Sequence, residues 1–137
     1  MSLRALPLIA IPLIIYNILI TFTGGGVDEF FRAPLFSVPM IKGAVWVFTR
    51  ADFIILVTMV VLFAELVKAT YTSAVSLVDH GLSMLVFIAC IVEFLVVNAA
   101  ATSAFFFVIV GALIDVVAGF TIGIRVARRD LAIGSVD

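Results

Sequence analysis

Glu93 and Asp115 are the residues of this chain best placed to do chemistry, because each is an acid set deep in apolar sequence. They lie in GLSMLVFIACIVEFLVVNAA and ATSAFFFVIVGALIDVVAGF, which run consecutively from Gly81 to Phe120 with no other charge. A carboxylate surrounded by hydrocarbon must be protonated, paired or hydrogen-bonded, and inside a membrane such acids mark ion or substrate pathways. Two acids that share one proton titrate as a pair. At helical spacing His80, Ser83, Phe87, Cys90 and Glu93 form one semi-polar face that ends at a carboxylate. The chemistry this suggests is a proton or cation relay, with Glu93 and Asp115 as coupling acids and Asp79 and His80 at its mouth. His80 alternatively caps a helix end or contacts a ligand such as a quinone.

The competing reading is structural. A protonated acid bonded to a facing carbonyl also stabilises helix packing, or meets a cation on a partner subunit. Gly111, Asp115, Gly119 and Gly123 recur every fourth residue, and small residues at that spacing let membrane helices approach closely, so Asp115 falls on a packing surface. Glu93 is therefore the better candidate for function, and Asp115 for packing. Glu65 and Lys68, three residues apart, add an ion pair within one helix, on a polar stripe with Thr58.

Residue counts exclude other chemistries. The single cysteine, Cys90, allows no intrachain disulfide and no thiolate metal site. One histidine cannot supply both axial imidazoles of a bis-histidine haem. Gly24–Gly26 lack the lysine that follows a phosphate-binding glycine loop, and no nucleophile–base pair is visible. A net charge of −1 gives no support to nucleic-acid binding. The expectation is a protein that is not an enzyme and carries no cofactor and no metal.

The elements that must position these residues follow from composition. With 137 residues, 65% of them hydrophobic, and a mean hydropathy of +1.38, the chain reads as one polytopic membrane domain, 1–137. A single helix over residues 81–120 would reach about 60 Å, twice the roughly 30 Å of a bilayer's hydrocarbon core. It must turn back near Asn98–Ser103, where Thr102 or Ser103 can cap the next helix. The fold expected is an all-α bundle of four transmembrane helices over residues 5–22, 51–69, 81–98 and 102–124. The first is an uncleaved span kinked at Pro12, with Asn17 seeking an interhelical hydrogen bond. Asp52 caps the second, and Thr70–Asp79, with Ser73 and Ser76, reads as a polar linker in which Asp79 caps the third.

Residues 23–50 mix charges, prolines and aromatics and form an ordered external loop. Gly24–Gly26 end the first helix, and Pro34 and Pro39 forbid a regular helix across the loop. Leu35–Met40 and Ala44–Thr49 read as short strands; alternatively Met40–Phe48 lies as a short helix in the headgroup layer. In both cases Trp46 is an interfacial anchor, while Lys42 and Arg50 reach for phosphates. Docking to another protein is the other use of so aromatic a loop. Basic residues set the orientation: Arg4, Lys68, Arg125, Arg128 and Arg129 inside, Arg32, Lys42 and Arg50 outside. Both termini are then cytoplasmic, and Arg125, Arg128 and Arg129 in the tail 125–137 can also touch anionic lipid.

The pattern VDHGLSMLVFIACIVEF followed by ALIDVVAGF and RRDLAIG resembles small four-span inner-membrane proteins of bacteria. The resemblance covers most of the chain and implies the bacterial inner membrane, but carries no activity through which residue roles could be transferred. The function expected is an accessory or assembly subunit of a larger membrane complex, with the lipid bilayer and a membrane protein or further copies of itself as partners. The alternative is a homo-oligomeric proton- or cation-coupled small transporter or channel using Glu93 and Asp115.

Overall fold

The computed structural model describes residues 6–71 and 74–134, with the side chains of 74–77 excepted. Arg4, the start of the expected first span, Ser73, the Ser76 side chain and the tail residues 135–137 lie outside the described residues. In chain order the elements are α1 (Ala10–Thr21), α2 (Val27–Arg32), β1 (Pro34–Pro39), β2 (Val45–Thr49), α3 (Arg50–Ala69), α4 (Ala74–Val96) and α5 (Ser103–Gly134), with a 3-10 turn at Asn98–Ala100 before α5.

Among the described residues two helices, not four, are long and apolar enough to cross a membrane: Val78–Val96 within α4, and α5. The four-span bundle is corrected by length at one helix and by charge at another. α1 has 12 residues, about 18 Å at 1.5 Å per residue, and falls short of a bilayer core. Pro12 lies in its first turn, where the missing N–H is tolerated, so it sets the helix start instead of kinking an interior. Just beyond the other end, Gly24 and Gly25 take φ of 59° and 121°, a region glycine reaches without strain. α3 has 20 residues, but every 18-residue stretch of it takes in three of Arg50, Asp52, Glu65 and Lys68.

Two boundaries also differ from expectation. The polar stretch before Gly81 is helical from Ala74, which places Asp79 and His80 inside α4 instead of at its cap. Asp79 finds a cation on α3, so its polarity does not force a loop. α5 continues to Gly134 instead of ending near residue 124. No proline or glycine interrupts the chain between Gly123 and Gly134, and arginine, alanine and leucine favour helix. The expected tail is therefore, as far as residue 134, an exposed helical extension.

Other local signals act as read. Thr102 Oγ1 accepts the Phe105 N–H at 3.2 Å and caps α5. α3 opens with a capping box: Thr49 Oγ1 accepts the Asp52 N–H at 3.2 Å while Asp52 Oδ2 accepts the Thr49 N–H at 2.8 Å. The stretch between α1 and α3 contains α2 and then an antiparallel hairpin in which Phe36 pairs with Phe48, Ser37 with Val47 and Val38 with Trp46. Its turn closes through Met40 N–H to Ala44 O at 2.7 Å, with Gly43 at φ 91°.

α5 packs along both α3 and α4, and α1 contacts all three. At the end where α4 turns into α5, Tyr16 is fully buried between Phe31, stacked at 4.8 Å, and Phe105, edge-on at 4.8 Å. Its hydroxyl meets Ala99 O and Thr102 Oγ1, each at 2.7 Å, which locks α1 onto the α4–α5 turn.

Candidate functional site

The opposite end of the helices gathers the charges. α3 runs away from the hairpin, so its last turns bring Glu65 and Lys68 beside the start of α1 and the first turns of α4. Lys68 Nζ lies 3.0 Å from Glu65 Oε2, 2.9 Å from Asp79 Oδ1 and 2.9 Å from Leu6 O. An ammonium has three N–H donors, and all three have acceptors here. Glu65 also accepts the Leu8 N–H, one of the backbone donors left open just before α1. Burial pulls the Lys68 ammonium down, but the hydrogen bonds to Asp79 and Glu65 outweigh it and hold Lys68 above its ordinary lysine value. Glu65 and Asp79 are buried, whereas the Lys68 side chain keeps 23% of its surface exposed, so Lys68 connects this cluster to the outside.

On α4 itself, His80, next to Asp79, and Ser83, one turn further along, face α5. The His80 imidazole lies on the glycine stripe: a Cβ on Gly119 would stand 2.7 Å from Nδ1 and 2.8 Å from Cε1. Gly123 lies beside Nε2, and Phe120 flanks the ring at 5.6 Å. Gly111 makes the same kind of space for α3, since a Cβ there would stand 2.5 Å from Thr58 Cγ2. The small residues thus receive side chains of α3 and α4 within this chain. Asp115, between Gly111 and Gly119 on the same stripe, neighbours Ser83, with Asp79, His80 and Lys68 in its electrostatic surroundings.

Three atoms of this group are buried without a hydrogen-bond partner among the described residues: His80 Nε2, Ser83 Oγ and Asp115 Oδ2. Leaving a polar atom unpaired in a protein interior costs roughly 1–3 kcal/mol, so three together define a place where a proton, water or small ion would find ready partners. No group of three or more His, Cys, Asp or Glu among the described residues is placed to hold a metal ion.

Glu93 stands apart. Its Oε2 accepts from Asn17 Nδ2 at 3.0 Å, and Asn17 also donates to Leu13 O at 3.0 Å, so the amide in α1 has the interhelical partner its polarity demanded. Glu93 Oε1 has no partner among the described residues. Along α4, Glu93 lies about 15 Å from Ser83 at 1.5 Å per residue, which separates it from Asp115 and from any shared proton. Cys90 is buried and free.

The anchors divide similarly. Trp46 is exposed on the hairpin. Arg50 lies over the Phe30 ring at 4.2 Å and donates from Nη1 to Phe30 O at 3.3 Å, so it ties α3 to α2. Arg125, Arg128 and Arg129 are exposed on α5. What the residue pattern missed is the Lys68–Asp79 bridge. The available signal was a cation and an anion flanking a short polar break between two apolar helices. No family model, curated protein or solved structure matches the chain.

Proposed function

We propose that this is a small integral membrane protein, held by α4 and α5, that takes up and releases protons at the buried group of Lys68, Asp79, His80, Ser83 and Asp115. The observation that carries the reading is the set of buried, unpartnered atoms on His80, Ser83 and Asp115 beside two carboxyl groups, Glu65 and Asp79, that share one lysine. In this reading Asp115 is the exchanging acid, Lys68 the link to water, and Glu93 a structural partner of Asn17. The role is non-enzymatic. The membrane is the bacterial inner membrane, with Lys68, Arg125, Arg128 and Arg129 at the cytoplasmic end and Arg32 and Arg50 at the other, in keeping with the positive-inside rule.

The test is proton flux into vesicles that carry the reconstituted protein and a pH-sensitive dye inside. Asp115→Asn and His80→Gln should abolish flux, while Glu93→Gln retains it. Full flux in the first two variants, with only a loss of detergent stability, would overturn the reading.

A second reading, an accessory or assembly subunit, has an observation of its own. α5 runs past His80 and exposes Ile124, Leu131 and Ile133 together with its arginines. Native mass spectrometry separates the two. A stoichiometric membrane partner that is lost when Leu131 and Ile133 become Asp favours the accessory role, and a clean homo-oligomer favours proton exchange.

A further inference from the structure

The hairpin β1–β2 exposes apolar side chains along both of its strands. All of β1 is exposed, and Leu35, Phe36, Val38, Val45, Trp46 and Val47 all show large apolar side chains to the outside. The register divides them between two faces. Phe36, Val38, Trp46 and Phe48 share one face, where Phe36 stacks on Phe48 at 4.8 Å and meets Trp46 edge-on at 6.0 Å. Pro39, Val45, Ser37 and Val47 share the other. A hairpin lying on the surface of a soluble protein is apolar on one face and polar on the other. This one is apolar on both, and its turn ends in a fully exposed Ile41 beside Lys42.

Charge and position add to this. From Phe31 to Ala51 the charged residues are Arg32, Lys42 and Arg50, all cationic. The root of the hairpin is fixed by Arg50 N–H to Ala33 O at 3.2 Å. Just before it, Phe31 stacks on Tyr16, whose hydroxyl bonds to Ala99 O and Thr102 Oγ1 in the α4–α5 turn. The root therefore sits level with the turn that joins the two membrane-crossing helices, which is the level of the bilayer surface. Strands of five or six residues reach about 17–20 Å from that root.

We infer that the hairpin lies in the interfacial layer of the lipid bilayer, with Trp46, Phe36, Phe48 and Ile41 among the upper acyl chains and Arg32 and Lys42 on anionic headgroups. Three general facts favour lipid over water or the bilayer centre. Aromatic side chains with adjacent cations concentrate at the membrane–water boundary. A cation near an anionic leaflet is attracted to it. The open edges of a two-stranded sheet need water for their backbone groups, which the headgroup layer supplies and the hydrocarbon centre does not.

Trp46 is the single tryptophan of the chain, so intrinsic fluorescence reports the hairpin directly. The inference rests on α4 and α5 crossing the bilayer, and co-flotation of the protein with vesicles checks that first and separately. With the protein in vesicles of mixed phosphatidylcholine and phosphatidylglycerol, Trp46 emission should be blue-shifted. Lipids brominated near the headgroup should quench it more than lipids brominated near the chain ends. Ile41→Asp should shift the emission to the red and reduce quenching. Lys42→Glu should reduce quenching when phosphatidylglycerol is present and leave it unchanged in phosphatidylcholine alone. Emission that no brominated lipid quenches would overturn the inference, and a blue-shifted, unquenched Trp46 would give the hairpin to a partner protein or second copy instead. Stronger quenching by chain-end bromines than by headgroup-proximal ones would also overturn it.

Discussion

At the end where α4 turns into α5, Tyr16 sits between two phenylalanines and ties its hydroxyl into the turn; at the other end, Lys68 directs its three donors to Leu6, Glu65 and Asp79. Both arrangements fasten α1 to the rest of the protein, through opposite chemistry. The aromatic end depends on area and shape, with one hydroxyl as a locator. The polar end depends on charge: Glu65, Lys68 and Asp79 are costly to bury and stay in place because each has a partner. A lost side chain at the first leaves a hole, whereas one at the second leaves an uncompensated charge. This asymmetry makes the polar end the better candidate for switching and the aromatic end the better foundation.

The largest expected effect is Lys68→Met. It strands Glu65 and Asp79 without a cation and should cost about 3–5 kcal/mol, read as a lower thermal midpoint in detergent. Adding Glu65→Gln and Asp79→Asn to Lys68→Met should restore most of that loss. If the triple variant is no more stable than the single one, charge is not what holds this end.

Gly119→Ala comes next, at about 1–3 kcal/mol, because the new methyl would meet the His80 ring and force it off the stripe. Gly123→Ala, whose methyl would stand at ordinary contact distance from the ring, should be nearly silent. Equal losses at both positions would show that the ring is not seated on Gly119.

Tyr16→Phe keeps the stacking and removes the hydroxyl, so the aromatic end should lose only about 1 kcal/mol. A loss as large as that of Lys68→Met would erase the contrast between the two ends.

The smallest effect is a shared alkaline sensitivity. Burial raises the Tyr16 phenol, and Glu93 and Asp28 push it further up against the Thr102 hydrogen bond, while Lys68 is held up by its carboxylate partners. In both cases the folded value lies above the unfolded one. Each therefore contributes stability that is fully present below its ordinary value, near pH ~10, and is lost as pH rises through the folded value. Melting in detergent should be insensitive to these two groups at neutral pH and decline at strongly alkaline pH. Tyr16→Phe and Lys68→Met should each remove part of that decline.

How much was legible beforehand varied by residue. The turn near Asn98–Ser103 and the Glu65–Lys68 pair rest on local rules of length and spacing, and those rules were enough; alternation and capping narrowed the hairpin strands and the Thr102 cap to one of two choices each, which the structure decides. Span number was not legible from apolarity alone. α1 and α3 are apolar, but how long a helix runs before Pro12 and Gly24–Gly26 act on it, and how much charge its ends carry, decides whether it can cross. The site was half legible. Asp79, His80 and Asp115 stand out in the sequence as polar groups beside or within apolar runs, but nothing along a single helix tells that Asp115 stands beside Ser83 and Glu93 beside Asn17.

The sequence by itself determined the apolar character of the chain, the α4–α5 hairpin with its two embedded acids, and the glycine stripe, because each follows from contiguous composition or a fixed repeat. Only the tertiary structure decided what fills the stripe and which acid stands with which base. His80 and Thr58 occupy the space at Gly119 and Gly111, Lys68 reaches Asp79, and Asn17 takes Glu93. These choices depend on how α1, α3 and α4 rotate and slide against α5, and no periodicity within a single helix encodes the register between two.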